Sequence, residues 1–412
     1  MVSREMQRKF ANLAIRQGLN LQEGQSLIIG ANVRDVEFVR LCVEEAYDAG
    51  AKRVSVDWRD ELVTRTDFLR QSRESLCEVP DWVLERERYR QGEGCCFLSI
   101  KSDIPGVHDD LDPEKVQASV IARVKRMGEM SRFYMTNRAQ WCVISLPSVE
   151  WAKMVYPELP EEEAFEKLSD TLYAVSRVRE GEDALQEWAE HNKTLRERAQ
   201  KMNDFNFHAL HFQSAQTGTD LTVGLVKDHI WSGGGSVSAG GVRFNPNIPT
   251  EEIFTMPSRT RVEGYVKASL PLDYQGGLIK GLWLKVKDGR VTEHGADEGE
   301  ERLARLLDTD EGTRSFGEVA LVPYDSPISK EGILFYKTLY DENAACHLAL
   351  GRPYPKNLKG GEAMSVEELK EHDANDSDQH VDFMFGTADM QIDGIAEDGT
   401  RTAVFRDGNF VI

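Results

Sequence analysis

Amphipathic and apolar segments alternate over the first 60 residues. The residues from Arg4 to Arg16 place apolar side chains at helical spacing, and the apolar run Ser26–Gly30 follows. A second amphipathic segment covers Asp35–Ala49, and the short run Val54–Trp58 comes next. This order predicts helix, strand, helix and strand, as in a parallel sheet with crossover helices. Gly50 is where a helix C-terminal cap belongs, and Asp35 is where an N-terminal cap belongs.

The same pattern continues to about residue 150. Cys95–Ile100 and Trp141–Leu146 are predicted strands, separated by a helix that Pro113 can begin and that runs to about Met130. From Glu161 to Met202 the chain is heavily charged and helical in pattern, which predicts a connecting region. We therefore expect an α/β N-terminal domain with a parallel sheet and a helical connector over residues 1–200.

After residue 200 the pattern changes to short alternating runs, separated by turns rich in glycine and asparagine. Such runs predict strands. The predicted strands are Phe207–Phe212, Asp220–Leu225, Arg261–Ala268, Leu278–Val286 and Glu318–Val322. We expect an α+β, mainly β C-terminal domain over residues 201–412.

Composition and charge exclude several classes of protein. The chain has 412 residues, more than one hydrophobic core usually holds, and a formal net charge of -20. That charge argues against nucleic acid as a partner, because phosphates would approach a field of the same sign. The six cysteines form no CxxC pair, which favours a reducing compartment. Because the sequence shows neither a signal peptide nor a long apolar run, we expect a cytoplasmic protein with no membrane partner.

Nucleotide binding through a glycine-rich loop is also excluded. Gly30 follows a predicted strand, but the residues after it lack both the GxGxxG and the Walker A spacing. The glycines at 233–235 and 240–241 predict either a wide surface loop that approaches another group closely or a plain flexible turn.

Acidic residues in stiff or buried segments are the first candidates for metal ligands. Glu251 and Glu252 lie between two prolines, which restrict the backbone at both ends. An ordinary helix N-terminus capped by Thr250 is the alternative. Glu318 begins an apolar run, and a carboxylate at the edge of a core needs a partner, either an arginine or a metal ion.

Two histidines lie near further carboxylates. Glu342 and His347 are five residues apart among small residues. A lone histidine is usually only a hydrogen-bonding residue, but Glu342 is close enough in sequence to share a site with His347. In a strand, His380 and Asp382 point to the same face, so one ion can bind both side chains.

Together these residues supply four carboxylates and two imidazoles. The set is Glu252, Glu318, Glu342, His347, His380 and Asp382. This mixture of oxygen and nitrogen donors suits zinc, cobalt or manganese, and two ions would lie roughly 3.5 to 4 Å apart, with Glu318 as the candidate bridge. Such a pair holds an attacking water and a carbonyl or phosphoryl oxygen. We therefore predict a metal site for hydrolysis in the second domain.

Five motifs resemble those of a known family, the M29 metallo-aminopeptidases, also called the aminopeptidase T and aminopeptidase S group. The motifs are Gly218–Leu221, Asn247–Thr255, Gly317–Leu321, Glu342–Gly351 and His380–Asp382. The resemblance implies a peptide hydrolase that removes the N-terminal residue of peptides with a free N-terminus. It also implies two divalent metal ions per chain, zinc, cobalt, manganese or magnesium, and a homodimer.

The resemblance also implies roles for individual residues. The implied metal ligands are Glu252, Glu318, Glu342, His347, His380 and Asp382. Tyr354 corresponds to the family's tyrosine seven residues after the histidine, where it would donate a hydrogen bond to the oxyanion of the tetrahedral intermediate. Glu251 is not needed as a ligand, so it is the candidate general base.

Two other functions remain open. Ring-cleaving dioxygenases of hydroxylated pyridines are similar in scaffold but hold one iron, for which His347, His380 and Asp382 are sufficient. The three glutamates are then surplus, and this favours the aminopeptidase. A non-enzymatic binding protein with structural metal ions is the third alternative, but structural sites favour cysteine and no cysteine belongs to the set.

Overall fold

The computed structural model describes residues 2–108 and 110–412. The chain divides into two compact units. The first contains Met1–Ala189 and Gly235–Ile248, and the second contains Glu190–Gly234 and Pro249–Ile412. The functional domains expected at residues 1–200 and 201–412 stay predictions.

Helices and strands have the following bounds. The α-helices are α1 Arg4–Leu13, α2 Val36–Asp48, α3 Glu61–Arg70, α4 Arg73–Cys77, α5 Asp81–Gly92, α6 Pro113–Met135, α7 Val149–Val155, α8 Glu161–Val175, α9 Ala184–Phe205, α10 Glu300–Leu307, α11 Pro327–Glu331, α12 Thr338–Asp341 and α13 Val366–Glu371. The β-strands are β1 Ser26–Asn32, β2 Arg53–Arg59, β3 Cys96–Lys101, β4 Trp141–Ser145, β5 Ala209–Ser214, β6 Thr219–Leu225, β7 Ser232–Gly233, β8 Ser236–Val237, β9 Arg243–Phe244, β10 Ile253–Thr255, β11 Pro257–Lys267, β12 Leu272–Asp273, β13 Leu278–Ile279, β14 Trp283–Lys287, β15 Arg290–Gly295, β16 Phe316–Leu321, β17 His347–Gly351, β18 His380–Met384, β19 Gln391–Ile395, β20 Arg401–Arg406 and β21 Asn409–Phe410.

A four-stranded sheet forms the centre of the first unit. Its strand order is β2-β1-β3-β4, and each neighbouring pair is parallel. Apolar side chains of these strands, such as Leu27, Leu98 and Ile144, form a buried core with Phe38 and Trp188. The predicted α/β unit with a parallel sheet is therefore confirmed.

The two ends of α2 were predicted from capping residues. Gly50 follows the helix with a φ of +93°, in the left-handed region that glycine adopts without strain, as predicted. Asp35 precedes the helix but makes no capping hydrogen bond with its side chain. Its carboxylate instead accepts a hydrogen bond of 2.5 Å from Oγ of Ser102.

Residues 61–92 contain three helices, α3 to α5, that the sequence pattern did not predict. The helix α3 buries none of its residues, and Leu62 and Val63 are both more than half exposed. Because no apolar stripe of this helix packs against a core, its sequence lacks the periodicity from which helices are predicted.

Two antiparallel sheets dominate the second unit. The larger has the order β15-β14-β11-β6-β5-β19-β20-β21, and the smaller has the order β18-β17-β16-β10-β7. Buried side chains such as Phe212, Val223, Leu284, Phe383 and Phe405 form its core. This agrees with the predicted change to mainly β structure after residue 200.

One predicted strand of the second unit is interrupted. Leu278–Val286 was expected to be continuous, but β13 ends at Ile279 and β14 begins at Trp283. Between them Gly281 has a φ of +62°, and a Cβ at this position would lie 2.0 Å from Oδ2 of Asp297. A turn that favours glycine therefore separates the two strands.

None of the helices in residues 2–108 and 110–412 combines the length and the apolar character needed to cross a lipid bilayer.

Candidate metal centre

The smaller antiparallel sheet carries most of the predicted ligands. Their positions are Glu252 just before β10, Glu318 in β16, His347 at the start of β17, and His380 and Asp382 in β18. The order of these strands in the sheet is β18-β17-β16-β10, so residues far apart in sequence become neighbours.

Strand register places these side chains on one face of the sheet. Glu318 pairs with Ala349, and Ala349 pairs on its other side with Asp382. Directly paired residues share a face, as do residues two positions apart along a strand. His347 is two residues before Ala349, and His380 is two residues before Asp382. All four of these predicted ligands, Glu318, His347, His380 and Asp382, therefore surround the small side chain of Ala349.

Short distances connect the two imidazoles through one carboxylate. Nε2 of His347 lies 3.1 Å from Oε2 of Glu252 and 3.6 Å from Oε1 of Glu318. Nε2 of His380 lies 3.8 Å from Oε2 of Glu318 and 3.5 Å from Oδ1 of Asp382. Glu318 thus lies between the imidazoles, with one oxygen toward each. One ligand atom from each of Glu252, Glu318 and His347 lies within 4.8 Å of the others.

A backbone carbonyl fixes the orientation of each imidazole. Nδ1 of His347 is 3.1 Å from the carbonyl oxygen of Ala345, and Nδ1 of His380 is 2.7 Å from that of Arg352. A carbonyl oxygen only accepts hydrogen bonds, so each Nδ1 carries a hydrogen and donates it. In the neutral imidazole, Nε2 then carries a lone pair that can coordinate a cation, and in both residues Nε2 faces carboxylates.

Three buried carboxylate oxygens of the cluster make no well-aligned hydrogen bond in the described part of the chain, and each faces an imidazole Nε2 at 3.1 to 3.8 Å instead. They are Oε2 of Glu252, Oε2 of Glu318 and Oδ1 of Asp382. A buried carboxylate oxygen without a partner is costly, and coordination to a divalent cation removes that cost. Carboxylate oxygens together with imidazole nitrogens are ligands that zinc, cobalt and manganese accept. The residues present therefore fit a divalent-cation site.

The same crowding shifts the pKa values of the cluster. Burial raises the pKa of Glu318, and burial with adjacent carboxylates raises the pKa of Glu342 well above its usual range. Burial alone would lower the pKa of His380, but the adjacent carboxylates outweigh it and raise the pKa to about 10. The pKa of His347 lies well above its usual value for the same reason. Without a cation, both imidazoles hold protons that offset the negative charge.

Glu342 approaches the cluster from outside the sheet. It begins a short 3-10 helix, Glu342–Ala344, after α12. After burial, the carboxylates of Asp382 and Glu252 are the largest causes of its raised pKa, so it belongs to the same electrostatic cluster. Oε1 of Glu342 lies 3.5 Å from Nδ2 of Asn343.

Tyr354 lies against the imidazole of His380. The two ring centroids are 4.9 Å apart, and Tyr354 directly precedes the 3-10 helix Pro355–Asn357. The residue keeps 39% exposure, yet burial of its phenol and the carboxylates of Glu318 and Asp382 raise its pKa well above its usual range. Tyr354 therefore stays neutral and is able to donate a hydrogen bond.

Sequence reasoning missed two residues beside Tyr354. The ammonium of Lys356 lies 4.7 Å from the ring centre of Phe254 and 5.7 Å from that of Tyr354. Burial lowers the pKa of Lys356, and the carboxylates of Glu318 and Glu252 oppose this. A lysine in the 3-10 helix Pro355–Asn357 and a phenylalanine in β10, about 100 residues apart, show no local pattern in the sequence, so only the tertiary fold brings them together.

Glu251 contacts different partners from Glu252. It is buried, and its Oε2 lies 3.7 Å from Nε2 of His191 on α9. Its backbone N–H donates a hydrogen bond of 2.7 Å to Oδ1 of Asn343. The role of Glu251 as a general base stays a prediction.

The whole chain matches a known family. The family of thermophilic metalloproteases M29 matches residues 3–410. The chain belongs to this family, and the predicted enzyme class, a metallo-aminopeptidase, is confirmed. Aminopeptidase T from Thermus aquaticus is 43% identical over 408 residues, which cover 98% of each chain. The structure of wild-type AmpT from Thermus thermophilus superimposes with a TM-score of 0.92 at 41% identity and covers 99% of both chains.

A more distant solved structure bears on the alternative function. The structure of 2,5-dihydroxypyridine dioxygenase from Pseudomonas putida has a TM-score of 0.53 at 12% identity and covers 100% of this chain and 98% of the other. At this identity the likeness shows a shared fold and says nothing about the reaction.

Proposed function

We propose that this protein removes the N-terminal residue of peptides with a free amino terminus, and that two divalent cations, zinc, cobalt, manganese or magnesium, support the reaction. The ligands in this proposal are Glu252, Glu318, Glu342, His347, His380 and Asp382. One structural observation gives this proposal its main support. Nε2 of both cluster histidines faces buried carboxylates, and three of the carboxylate oxygens have no well-aligned hydrogen bond among the described residues.

Glu318 is the proposed bridging ligand. Its two oxygens point to different imidazoles, with Oε1 3.6 Å from Nε2 of His347 and Oε2 3.8 Å from Nε2 of His380. Glu252 lies on the side of His347, and Asp382 lies on the side of His380. When bound, the two cations would activate a water shared between them and polarise the scissile carbonyl.

Tyr354 and the acidic cluster provide the other contacts to substrate in this proposal. The neutral phenol of Tyr354 donates a hydrogen bond to the oxygen of the scissile carbonyl as negative charge develops there. The carboxylates of the cluster attract the positively charged terminal amine and orient the peptide. A peptide whose amine is acetylated lacks this charge, so it is expected to resist cleavage.

The test is activity on leucyl-anilide and on matched free and N-acetylated peptides. Chelation is expected to abolish turnover of the free substrates, and return of zinc, cobalt, manganese or magnesium is expected to restore it. Full activity after chelation would contradict the proposal. One iron per chain with oxygen-dependent cleavage of a hydroxylated pyridine would support the dioxygenase instead.

The proposed general base has its own test. Replacing Glu251 by Gln keeps its size but removes the carboxylate that would accept a proton, so kcat should fall by about 10² to 10⁴. The matched variant is His191→Gln, which removes the imidazole whose Nε2 lies 3.7 Å from Oε2 of Glu251. If Glu251→Gln keeps wild-type kcat, Glu251 is not the base and its contact with His191 serves the fold.

A cytoplasmic homodimer that binds neither nucleic acid nor membrane completes the proposal. The six cysteines are all free, which agrees with a reducing compartment. Light scattering on the purified protein tests the dimer, and a mass equal to one chain would contradict it.

A further inference from the structure

A single buried asparagine connects the segment of Glu252 to that of Glu342. Asn343 is 1% exposed, and its Oδ1 accepts a hydrogen bond of 2.7 Å from the backbone N–H of Glu251. Its Nδ2 donates to the carbonyl oxygen of Leu339 at 2.9 Å and lies 3.5 Å from Oε1 of Glu342. One amide therefore contacts the residue before Glu252 and the carboxylate of Glu342.

The partners of Asn343 determine which way its amide points. The N–H of Glu251 only donates, so the atom facing it must be the oxygen. The carbonyl of Leu339 only accepts, so the atom facing it must be the nitrogen. Since the hydrogen bond from Glu251 is buried, a rotated amide would leave the N–H of Glu251 without an acceptor.

We propose that Asn343 is a positioning residue that holds Glu252 and Glu342 at the separation needed to bind the second cation. The inference rests on the proposed function, because it requires two cations at this cluster. Glu252 enters from the segment before β10, and Glu342 enters from the 3-10 helix after α12. Strand pairing fixes the positions of Glu318, His347, His380 and Asp382. Glu342 lies in a 3-10 helix instead, so strand pairing does not fix its position. Asn343 supplies a fixed link for this ligand.

Two variants remove the link in different ways. Asn343→Leu keeps the branched shape of the side chain and removes its hydrogen bonds, whereas Asn343→Ala removes both. Loss of a hydrogen-bonded partner behind a metal ligand typically weakens metal binding by about 10- to 100-fold. We expect both variants to bind one zinc equivalent as the wild type does and the second about 10- to 100-fold more weakly. The measurement is zinc competition with a chromophoric chelator on the full chain.

Asn203 provides a matched control in the second unit. Like Asn343, its side chain bonds one backbone N–H and one backbone carbonyl, here both of Trp231: Oδ1 accepts from the N–H at 2.8 Å and Nδ2 donates to the carbonyl oxygen at 3.1 Å. Asn203→Ala should therefore destabilise the fold in a similar way and leave zinc affinity unchanged. A second readout is the zinc concentration for half-maximal activity, which should be higher in the Asn343 variants than in the wild type. The kcat of these variants should reach the wild-type value only at excess zinc.

The outcomes separate this inference from the proposed function. Wild-type affinity for both zinc equivalents in the Asn343 variants overturns the role of Asn343 and leaves the proposed function intact. A wild-type protein that binds no zinc at the cluster overturns both. If Asn343→Ala does not fold, Asn343→Leu alone decides, because it leaves no cavity.

Discussion

The imidazoles of His347 and His380 explain how the cluster tolerates its own charge. Each Nδ1 donates to a backbone carbonyl, so each Nε2 faces the carboxylates and takes either a proton or a cation. Protons and cations therefore compete for the same position. The raised pKa of His380, about 10, is the consequence of this geometry in the metal-free protein.

The first prediction concerns the pH dependence of stability after chelation. A folded-state pKa of about 10 for His380, against 6.5 for the free side chain, gives stability that is present below pH 6.5 and lost as pH rises toward 10. The raised pKa values of His347, Glu318 and Glu342 act in the same direction. The urea midpoint of the chelated protein should therefore fall across this window.

His380→Gln is the control for that measurement. It removes the imidazole whose pKa is about 10, so the urea midpoint of this variant should change less with pH than that of the wild type. Stabilisation by added zinc should grow over the same range, because fewer protons compete. A midpoint that does not depend on pH would show that the imidazoles are not paired with these carboxylates.

The second prediction concerns Tyr354. Tyr354→Phe removes the hydroxyl that is proposed to donate to the developing oxyanion, so kcat should fall by about 10² to 10³ while KM and zinc affinity stay near wild type. Tyr89→Phe is the control, since Tyr89 is 60% exposed on α5 of the first unit. An equal loss of zinc binding in Tyr354→Phe would mean that the phenol supports the ligands rather than the reaction.

Strand alternation predicted part of the site at the scale of single residues. His380 and Asp382 were placed on one face by their spacing, and the structure puts Nε2 of His380 3.5 Å from Oδ1 of Asp382. Asn343 and Lys356 could not be predicted, because their partners are set by the packing of distant segments. Hydrogen-bond partners of this kind leave no periodic pattern in a sequence.

At the scale of elements, β17 is the strand around which the site is built. It lies between β16 and β18, and its side chain at Ala349 lies between Glu318 and Asp382. A small residue here leaves room between the two carboxylates. The neighbouring Gly317 is equally constrained, since a Cβ there would lie 2.4 Å from the carbonyl oxygen of Gly351.

The third prediction concerns the space that the small side chain of Ala349 leaves between Glu318 and Asp382. Ala349→Leu places a large side chain between the ligands, so zinc binding should be lost or strongly weakened, with an overpacking cost of about 1 to 3 kcal/mol. Ala199→Leu is the control, because Ala199 is also buried in the core of the second unit, with 5% exposure against 0% for Ala349. Tight zinc binding by a folded Ala349→Leu protein would contradict the assigned face.

Elements were predicted where burial imposes a period on the sequence. The strands β1 and β3 are buried along most of their length, and both were predicted. The helix α3 is exposed, and the turn at Gly281 depends on a tertiary contact with Asp297, so neither could be predicted. The order of strands around β17 likewise depends on long-range pairing.

At the scale of the whole molecule, each compact unit has its own hydrophobic core. Leu98 and Trp188 belong to the core of the first unit, and Phe212 and Leu348 belong to that of the second. All six proposed ligands lie in the second unit. Ligation should therefore stabilise this unit directly.

The fourth prediction follows from these separate cores. Calorimetry of the full chain should show a transition that rises with added zinc and one that does not. Leu98→Ala should reduce the free energy of unfolding of the first unit by about 2 to 5 kcal/mol. It should therefore lower the temperature only of the transition that does not respond to zinc. A single transition that moves as one with zinc and with Leu98→Ala would show that the units unfold together.

Anomalous diffraction from a zinc-loaded crystal, recorded at the zinc edge, tests most directly whether two cations bind at this cluster. Two bound zinc ions should give two peaks roughly 3.5 to 4 Å apart. Both should be bounded by Glu252, Glu318, Glu342, His347, His380 and Asp382. A single peak on His347, His380 and Asp382, or peaks away from Glu318, would contradict the binding of two cations at this cluster.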